Sequence, residues 1–168
     1  MHNIRLLPII LVFLFFGGCV EQQNNSTAFF CPQEDCENRV IVAINNAEYS
    51  IDAAIYSFTS KNIASALIEA QKRGVSPGAI RIVIDSLQSK SKYSMDEFLN
   101  ENNIETRIMP STMHHKFVVI DDSLVITGSY NWTENANSKN NENLVFIQSK
   151  DTAELFSREF FELWINSN

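Results

Sequence analysis

The sequence predicts an α/β fold in which a mixed β-sheet is sandwiched between helices. Three observations lead to that class. The chain has 168 residues, enough for one domain with a substantial core. Its hydrophobic content is 45% and its charged content 20%, ordinary values for a globular protein. Short β-branched runs alternate with stretches of helical period, and no internal repeat is visible, which is the pattern of a layered α/β domain.

The first residues stand apart. Met1–Arg5 are polar with one positive charge, Leu6–Phe16 are almost all apolar, and Gly17-Gly18 precede Cys19. That is the pattern of a signal peptide, and the apolar run falls short of the roughly 20 residues that span a bilayer. Phe16-Gly17-Gly18-Cys19 resembles a prokaryotic lipobox, which implies a lipid-modified Cys19. The expected organisation is a signal peptide over 1–18, a polar tether over 19–28 and one domain over 29–168. The protein is expected to be exported, and then either anchored to the outer side of the cell membrane through the lipid or secreted. With Cys19 lipidated, Cys31 and Cys36 remain as an even pair. Export favours a small disulfide loop between them over two free thiols, and two cysteines without a nearby histidine are too few for zinc.

Within the domain, Val40, Ile41, Ile44 and Ala47 give Cys36–Glu48 a helical face. Tyr49–Phe58 reads as a strand. Thr59 or Ser60 caps the next helix, which runs to Arg73 and stops at Gly74. Val75–Ala79 is a loop around Pro77-Gly78, and Ile80–Asp85 is a buried strand. Ser86–Ser94 lacks periodicity and reads as a loop, with Lys90 and Lys92 as candidate substrate contacts. Ser94-x-x-Glu97 has the form of a capping box and opens a helix to about Asn102. Ile104–Met109 is a strand ended by Pro110. After Asn131 the polar, asparagine-rich stretch to Asn141 reads as a surface loop. Glu142–Gln148 is a strand, and Asp151–Ile165 an amphipathic helix opening at Asp151-x-x-Glu154.

The chemistry lies in Met113–Asn131, which reads as two strands, Phe117–Ile120 and Leu124–Thr127, around Asp121-Asp122-Ser123. A turn centred between Asp122 and Ser123 sets Lys116 opposite Ser129 and His114 opposite Asn131. Residues two apart share a face, and cross-strand neighbours lie roughly 5 Å apart. The four side chains then form a rectangle about the size of one phosphate. Lys116 supplies a fixed positive charge, Asn131 and Ser129 supply neutral donors, and His114 is a nucleophile or general acid near neutral pH. Asp121 lies seven residues from His114 on the opposite parity and is expected to act structurally, behind the site.

His114-x-Lys116, then Asp121, then Gly128-Ser129-x-Asn131 is similar to the HKD signature of the phospholipase D superfamily, with six identities fixed over eighteen residues. The motif occurs once, as in the small single-motif endonucleases of that superfamily, and the resemblance extends from about Phe30 to Trp164. It implies a sheet between helices and catalysis by two histidines, one forming a phosphohistidine and one protonating the leaving oxygen. A chain with one motif then needs a second copy, which implies a homodimer with the active site on its two-fold axis. His115 is adjacent to His114 on a strand and points to the other face, and His2 leaves with the signal peptide. In the resembling endonucleases an acidic residue at the position of Glu142 hydrogen-bonds the catalytic histidine, and Glu142 is the candidate here. As residues alone, it reads equally as a solvated carboxylate at a strand edge.

No cluster of Asp, Glu and His has metal-ligand spacing, so neither a metal nor another cofactor is expected. The formal net charge is −7, and becomes −8 when Arg5 leaves with the signal peptide. Non-specific nucleic-acid binding is mostly neutralisation of phosphates by Lys and Arg, which an acidic chain opposes unless its cations cluster. The sequence therefore points to a metal-independent phosphodiesterase, with a nucleic-acid endonuclease first, a phospholipase D acting on lipid headgroups second, and a non-catalytic surface phosphate-binding protein third.

Overall fold

The computed structural model describes residues 25–76 and 78–168. The expected signal peptide, the lipidation site Cys19 and the first part of the tether lie outside the described residues.

A seven-stranded mixed sheet forms the middle layer. Its strands are β1 (Asn25–Cys31), β2 (Ile51–Ile55), β3 (Ile80–Asp85), β4 (Glu105–Met109), β5 (Lys116–Ile120), β6 (Leu124–Gly128) and β7 (Glu142–Gln148), in the order β1-β7-β6-β5-β2-β3-β4. β2, β3 and β4 are parallel, and β2-β5-β6-β7-β1 is antiparallel at every step. β5 is therefore the central strand, and its neighbour β2, parallel to β3 and antiparallel to β5, is the seam between the two halves. β2 is buried throughout, as a central strand covered on both faces must be.

Alternation sorts the side chains into two cores. Ile51, Ala53, Ile55, Ile82, Ile84, Val118, Ile120 and Ile126 face α1 (Cys36–Asn45), α2 (Lys61–Arg73) and α4 (Asp96–Glu101). Ala54, Val83, Phe117, Val119 and Val125 face α6 (Lys150–Ile165) through Ala153, Phe160, Leu163 and Trp164. This is the expected sandwich. α2 starts where Ser60 Oγ accepts the Ile63 amide and stops at Gly74, whose φ of 119° suits glycine. Cys31 and Cys36 are joined in a disulfide, with Cα atoms 5.8 Å apart, that ties the end of β1 to the start of α1.

Several local expectations are corrected. The tether reading fails from Asn25 onward, because Asn25–Cys31 pairs residue for residue with β7 from Asn25↔Gln148 to Cys31↔Glu142. The first half of that strand is exposed, so its sequence carries no buried alternation. Ser94-x-x-Glu97 is not a capping box: α4 begins after Met95 without a side-chain cap. Two predicted loops contain single helical pieces, α3 (Ser86–Ser89), capped by Asp85, and α5 (Glu134–Ser138), capped by Thr133. α6 starts one residue earlier than expected, with Ser149 as its cap.

The hairpin register is also different. The pairs are Phe117↔Thr127, Val118↔Ile126, Val119↔Val125 and Ile120↔Leu124, so three residues form the turn and Lys116 falls opposite Gly128, not Ser129. Asp121 and Asp122 both adopt left-handed backbone, with φ of 52° and 49°, and the Ser123 amide closes onto Ile120 O at 3.1 Å. Long-range bonds hold this turn. The Asp121 carboxylate accepts the amides of Glu48, Tyr49 and Ser50 at 2.9, 2.7 and 2.9 Å. Asp121 thus fixes the entry to β2, far from His114.

Asp121→Asn keeps a residue tolerant of left-handed backbone but removes the charge and one acceptor. It is expected to lower unfolding free energy by about 1–3 kcal/mol in urea titration, with turnover per folded molecule unchanged. Lost turnover at an unchanged urea midpoint would instead place Asp121 in the chemistry.

Candidate active site

The site forms where β5 begins, at the end of β2. The β2–β5 ladder pairs Ile55 with Lys116 and continues one step further, the Tyr56 amide donating to His115 O at 2.8 Å. That step lays the Tyr56 ring beside His114, centroids 4.5 Å apart. Lys116 Nζ lies 3.2 Å from His114 Nδ1, 2.8 Å from His114 O and 4.8 Å from the centre of the Tyr56 ring. An ammonium offers donors only, so Nδ1 is the acceptor here. A phosphate oxygen carries charge and is the stronger partner for the same ammonium. Partial burial pushes the Lys116 pKa below the usual lysine range, and the nearby Glu142 carboxylate opposes that shift.

Asn131 arrives by a different route from the one a plain hairpin predicts. At the end of β6 the amides of Ser129 and Tyr130 both donate to Asn143 O, at 3.1 and 3.4 Å. Two residues of one strand thus oppose one of the other, a β-bulge. Gly128 makes this approach possible: its φ is 151°, and a Cβ there would collide with the Asn143 carbonyl. Beyond the bulge the chain docks on the loop after β2. Trp132 O accepts the amides of Thr59 and Ser60 at 2.9 Å each, and Asn131 Oδ1 accepts the Ser57 amide at 3.2 Å. With Oδ1 so held, Asn131 turns its Nδ2 hydrogens into the donor role.

The structure therefore brings His114, Lys116 and Asn131 to one end of the sheet but uses Ser129 and Glu142 differently. Ser129 Oγ donates to Glu142 Oε2 at 2.5 Å and accepts the Asn143 amide at 3.0 Å, so it is not a free phosphate donor. Within one chain Glu142 does not hydrogen-bond His114; its other oxygen accepts Asn140 Nδ2 at 3.1 Å. The carboxylate expected to orient the histidine instead locks the bulge and acts on Lys116 through charge. His115 points away, towards Phe117 and Glu159 on the α6 side, as its parity requires.

Three residues that bear on the site were not singled out as such from sequence. Asp85 is fully buried, and its carboxylate accepts the amides of Leu87, Gln88 and Met113 at 2.9, 3.2 and 3.0 Å. It thereby pins the residue before His114 to α3. Tyr56 and Gln88 are joined by a 3.0 Å bond from Gln88 Nε2 to the Tyr56 hydroxyl. A strand-ending aspartate is a common enough cap that only the fold shows Met113 as its third donor. Lys90 and Lys92 are exposed, and the cleft wall beside them is made by Gln88 and Tyr93. Among the described residues no group of three or more His, Cys, Asp or Glu side chains is placed to hold a metal ion.

Known proteins share this arrangement of elements. Residues 40–164 match the family model for the cardiolipin synthase, PLD-like domain. A phospholipase D of Rickettsia prowazekii is 34% identical over 148 residues, covering 87% of this chain and 71% of its own length. The mitochondrial cardiolipin hydrolase of Homo sapiens is 31% identical over 137 residues, covering 80% of this chain and 53% of its own. Among solved structures, the phospholipase D family member Nuc from Salmonella typhimurium superposes with a TM-score of 0.81 at 30% identity, covering 87% of this chain and 97% of its own. NucT from Helicobacter pylori gives 0.79 at 26% identity, over 86% and 98%.

Lys116→Ala and Asn131→Ala are each expected to remove about 2–4 kcal/mol of transition-state stabilisation without unfolding the domain, as read from kcat/KM beside thermal melts. The lowered Lys116 pKa fixes the sign of the pH effect. The cation is lost as pH rises through a value below the ordinary lysine range, so activity falls on the alkaline side. In Lys116→Arg the charge persists, and the alkaline limb of whatever activity remains moves up or vanishes. An unmoved limb assigns it to another group.

Proposed function

The chain belongs to the phospholipase D superfamily and is a phosphodiesterase, and from that premise we propose that it cleaves nucleic acid with His114 as the attacking group. The observation that carries this reading is the cluster itself: one imidazole, one partly buried ammonium and one oriented amide at the end of the central strand. Lys116 and Asn131 hold the non-bridging oxygens. His114 attacks phosphorus, a P–N bond forms, and the P–O bond to the leaving group breaks. A second histidine gives that oxygen its proton, then takes one from the water that attacks phosphorus and breaks the P–N bond. Both histidines end as they began, and no step requires a metal.

The second histidine is His114 of a second copy, which makes the working unit a two-fold dimer. Each chain has a single motif, and His115 faces away from the cluster. Nucleic acid is favoured because the cleft next to Asn131 is walled mostly by amides, hydroxyls and tyrosines, with one carboxylate, Glu134, and with exposed Lys90 and Lys92 close to Tyr93 in sequence. A second reading, phospholipid headgroup hydrolysis, is favoured by the relatives named phospholipase D and cardiolipin hydrolase.

A substrate panel tests the choice: single-stranded and duplex nucleic acids, phosphatidylcholine and cardiolipin vesicles, all in excess chelator with His114→Ala as control. Nucleic-acid cleavage that survives chelator and disappears in the control is expected. Strict dependence on an added divalent ion would contradict the mechanism. The shared site is tested by exchanging wild-type and His114→Ala subunits. Mixed dimers should be inactive, so activity falls as the square of the wild-type fraction, whereas a linear fall means that one chain suffices.

A further inference from the structure

We propose that the cleft beside Asn131 is a nucleobase subsite whose stacking platform is Tyr93, and that the enzyme therefore takes single-stranded nucleic acid. The inference rests on the nucleic-acid reading above. The cleft has a volume of about 590 Å³, within the range of small-ligand sites. Tyr56 and Asn131 form the side next to His114; Gln88, Tyr93, Asn135 and Asn140 lie around the rest, and Glu134 adds one carboxylate to the rim, which favours the base over the phosphate as the group held inside. Tyr56 belongs to both places, its ring touching His114 and its hydroxyl held by Gln88. A group bound in the cleft is thus next to the reacting phosphate.

Tyr93 is 63% exposed, a large aromatic face left in water on the wall of a polar cleft. Its backbone is not loose. The Tyr93 amide donates to Ser91 Oγ at 3.3 Å, the Ser94 amide to Ser91 O at 2.9 Å, and the Met95 amide to Phe58 O at 3.1 Å. The last bond ties the segment to the residue after Ser57, which holds Asn131. Lys92 Nζ lies over the Tyr93 ring, 4.9 Å from its centre, so a cation covers one face of the platform and stands within reach of a phosphate adjoining a base stacked on the other.

The group that fits is flat, aromatic and polar at its edges. A base stacks on an exposed tyrosine, and side-chain amides donate to and accept from its edge. An acyl chain fits badly, because filling this cleft with methylenes would strip water from the amides of Gln88, Asn135 and Asn140 without replacing their bonds. A base inside a duplex is already stacked and paired, so the subsite selects an unpaired strand.

The test measures kcat and KM for wild type, Tyr93→Ala, Tyr93→Phe and Tyr93→Leu on a single-stranded oligonucleotide. A series carrying one abasic residue at successive positions, and cardiolipin vesicles, complete the set. Tyr93→Ala should raise KM for the oligonucleotide by about 5- to 100-fold with kcat little changed. Tyr93→Phe should restore binding, and Tyr93→Leu should not. One abasic position should give wild type the KM of Tyr93→Ala and harm that variant no further. Unchanged KM in Tyr93→Ala, or rescue by leucine as good as by phenylalanine, overturns the subsite while the nuclease reading stands. Cleavage of cardiolipin with no cleavage of any oligonucleotide overturns both.

Discussion

The Asn143 carbonyl accepts two consecutive amides, those of Ser129 and Tyr130, and the geometry of the site depends on that shared bond. The three-residue turn at Asp121–Ser123 fixes the hairpin one step out of the register that would place Ser129 beside Lys116. A bulge admits one extra residue and re-aims the strand beyond it. Here it releases the chain from β7 and lets Trp132 and Asn131 dock on the loop after β2. Gly128 is required because its missing Cβ is the space the Asn143 carbonyl needs. Glu142 and Ser129 close the bulge from the other side. Three of the motif's residues, with Glu142, thus shape the backbone that presents the others.

The electrostatics set two requirements against each other. As the proposed phosphate-binding cation, Lys116 must be dry enough to bind phosphate strongly and wet enough to remain charged. Burial lowers its pKa, and Glu142 offsets the loss without pairing directly. The chain as a whole is acidic, with formal charge −7, so a polyanion is not drawn to it by net charge. In the proposed function, binding comes from short-range contacts in the cleft, since exposed charges more than about 10 Å apart are largely screened at 0.1 M salt.

The layers were legible in the sequence because buried strands alternate and helices are capped locally: Ile80–Asp85 and the Ser60-to-Gly74 helix appear where their patterns place them. The cluster of His114, Lys116 and Asn131 was legible because its spacing is a motif. Register was not, because the turn is decided by bonds from Asp121 to amides more than seventy residues away. β1 was hidden for a related reason: Asn25-Ser26-Thr27 form strand only by pairing with β7, at an exposed edge where no apolar alternation is needed. Asp85 and Tyr93 depend on tertiary neighbours, a distant amide in one case and a shared cleft in the other. Local spacing contains neither.

The central claim is that this cluster transfers a phosphoryl group through His114. The most direct measurement is mass spectrometry of the enzyme quenched in alkali during turnover, where a phosphorus–nitrogen bond survives. The account predicts a substrate-derived phosphoryl adduct on the peptide carrying His114, formed as fast as turnover requires and absent from His114→Ala. An adduct on another residue, or steady turnover with no adduct on His114, would contradict it.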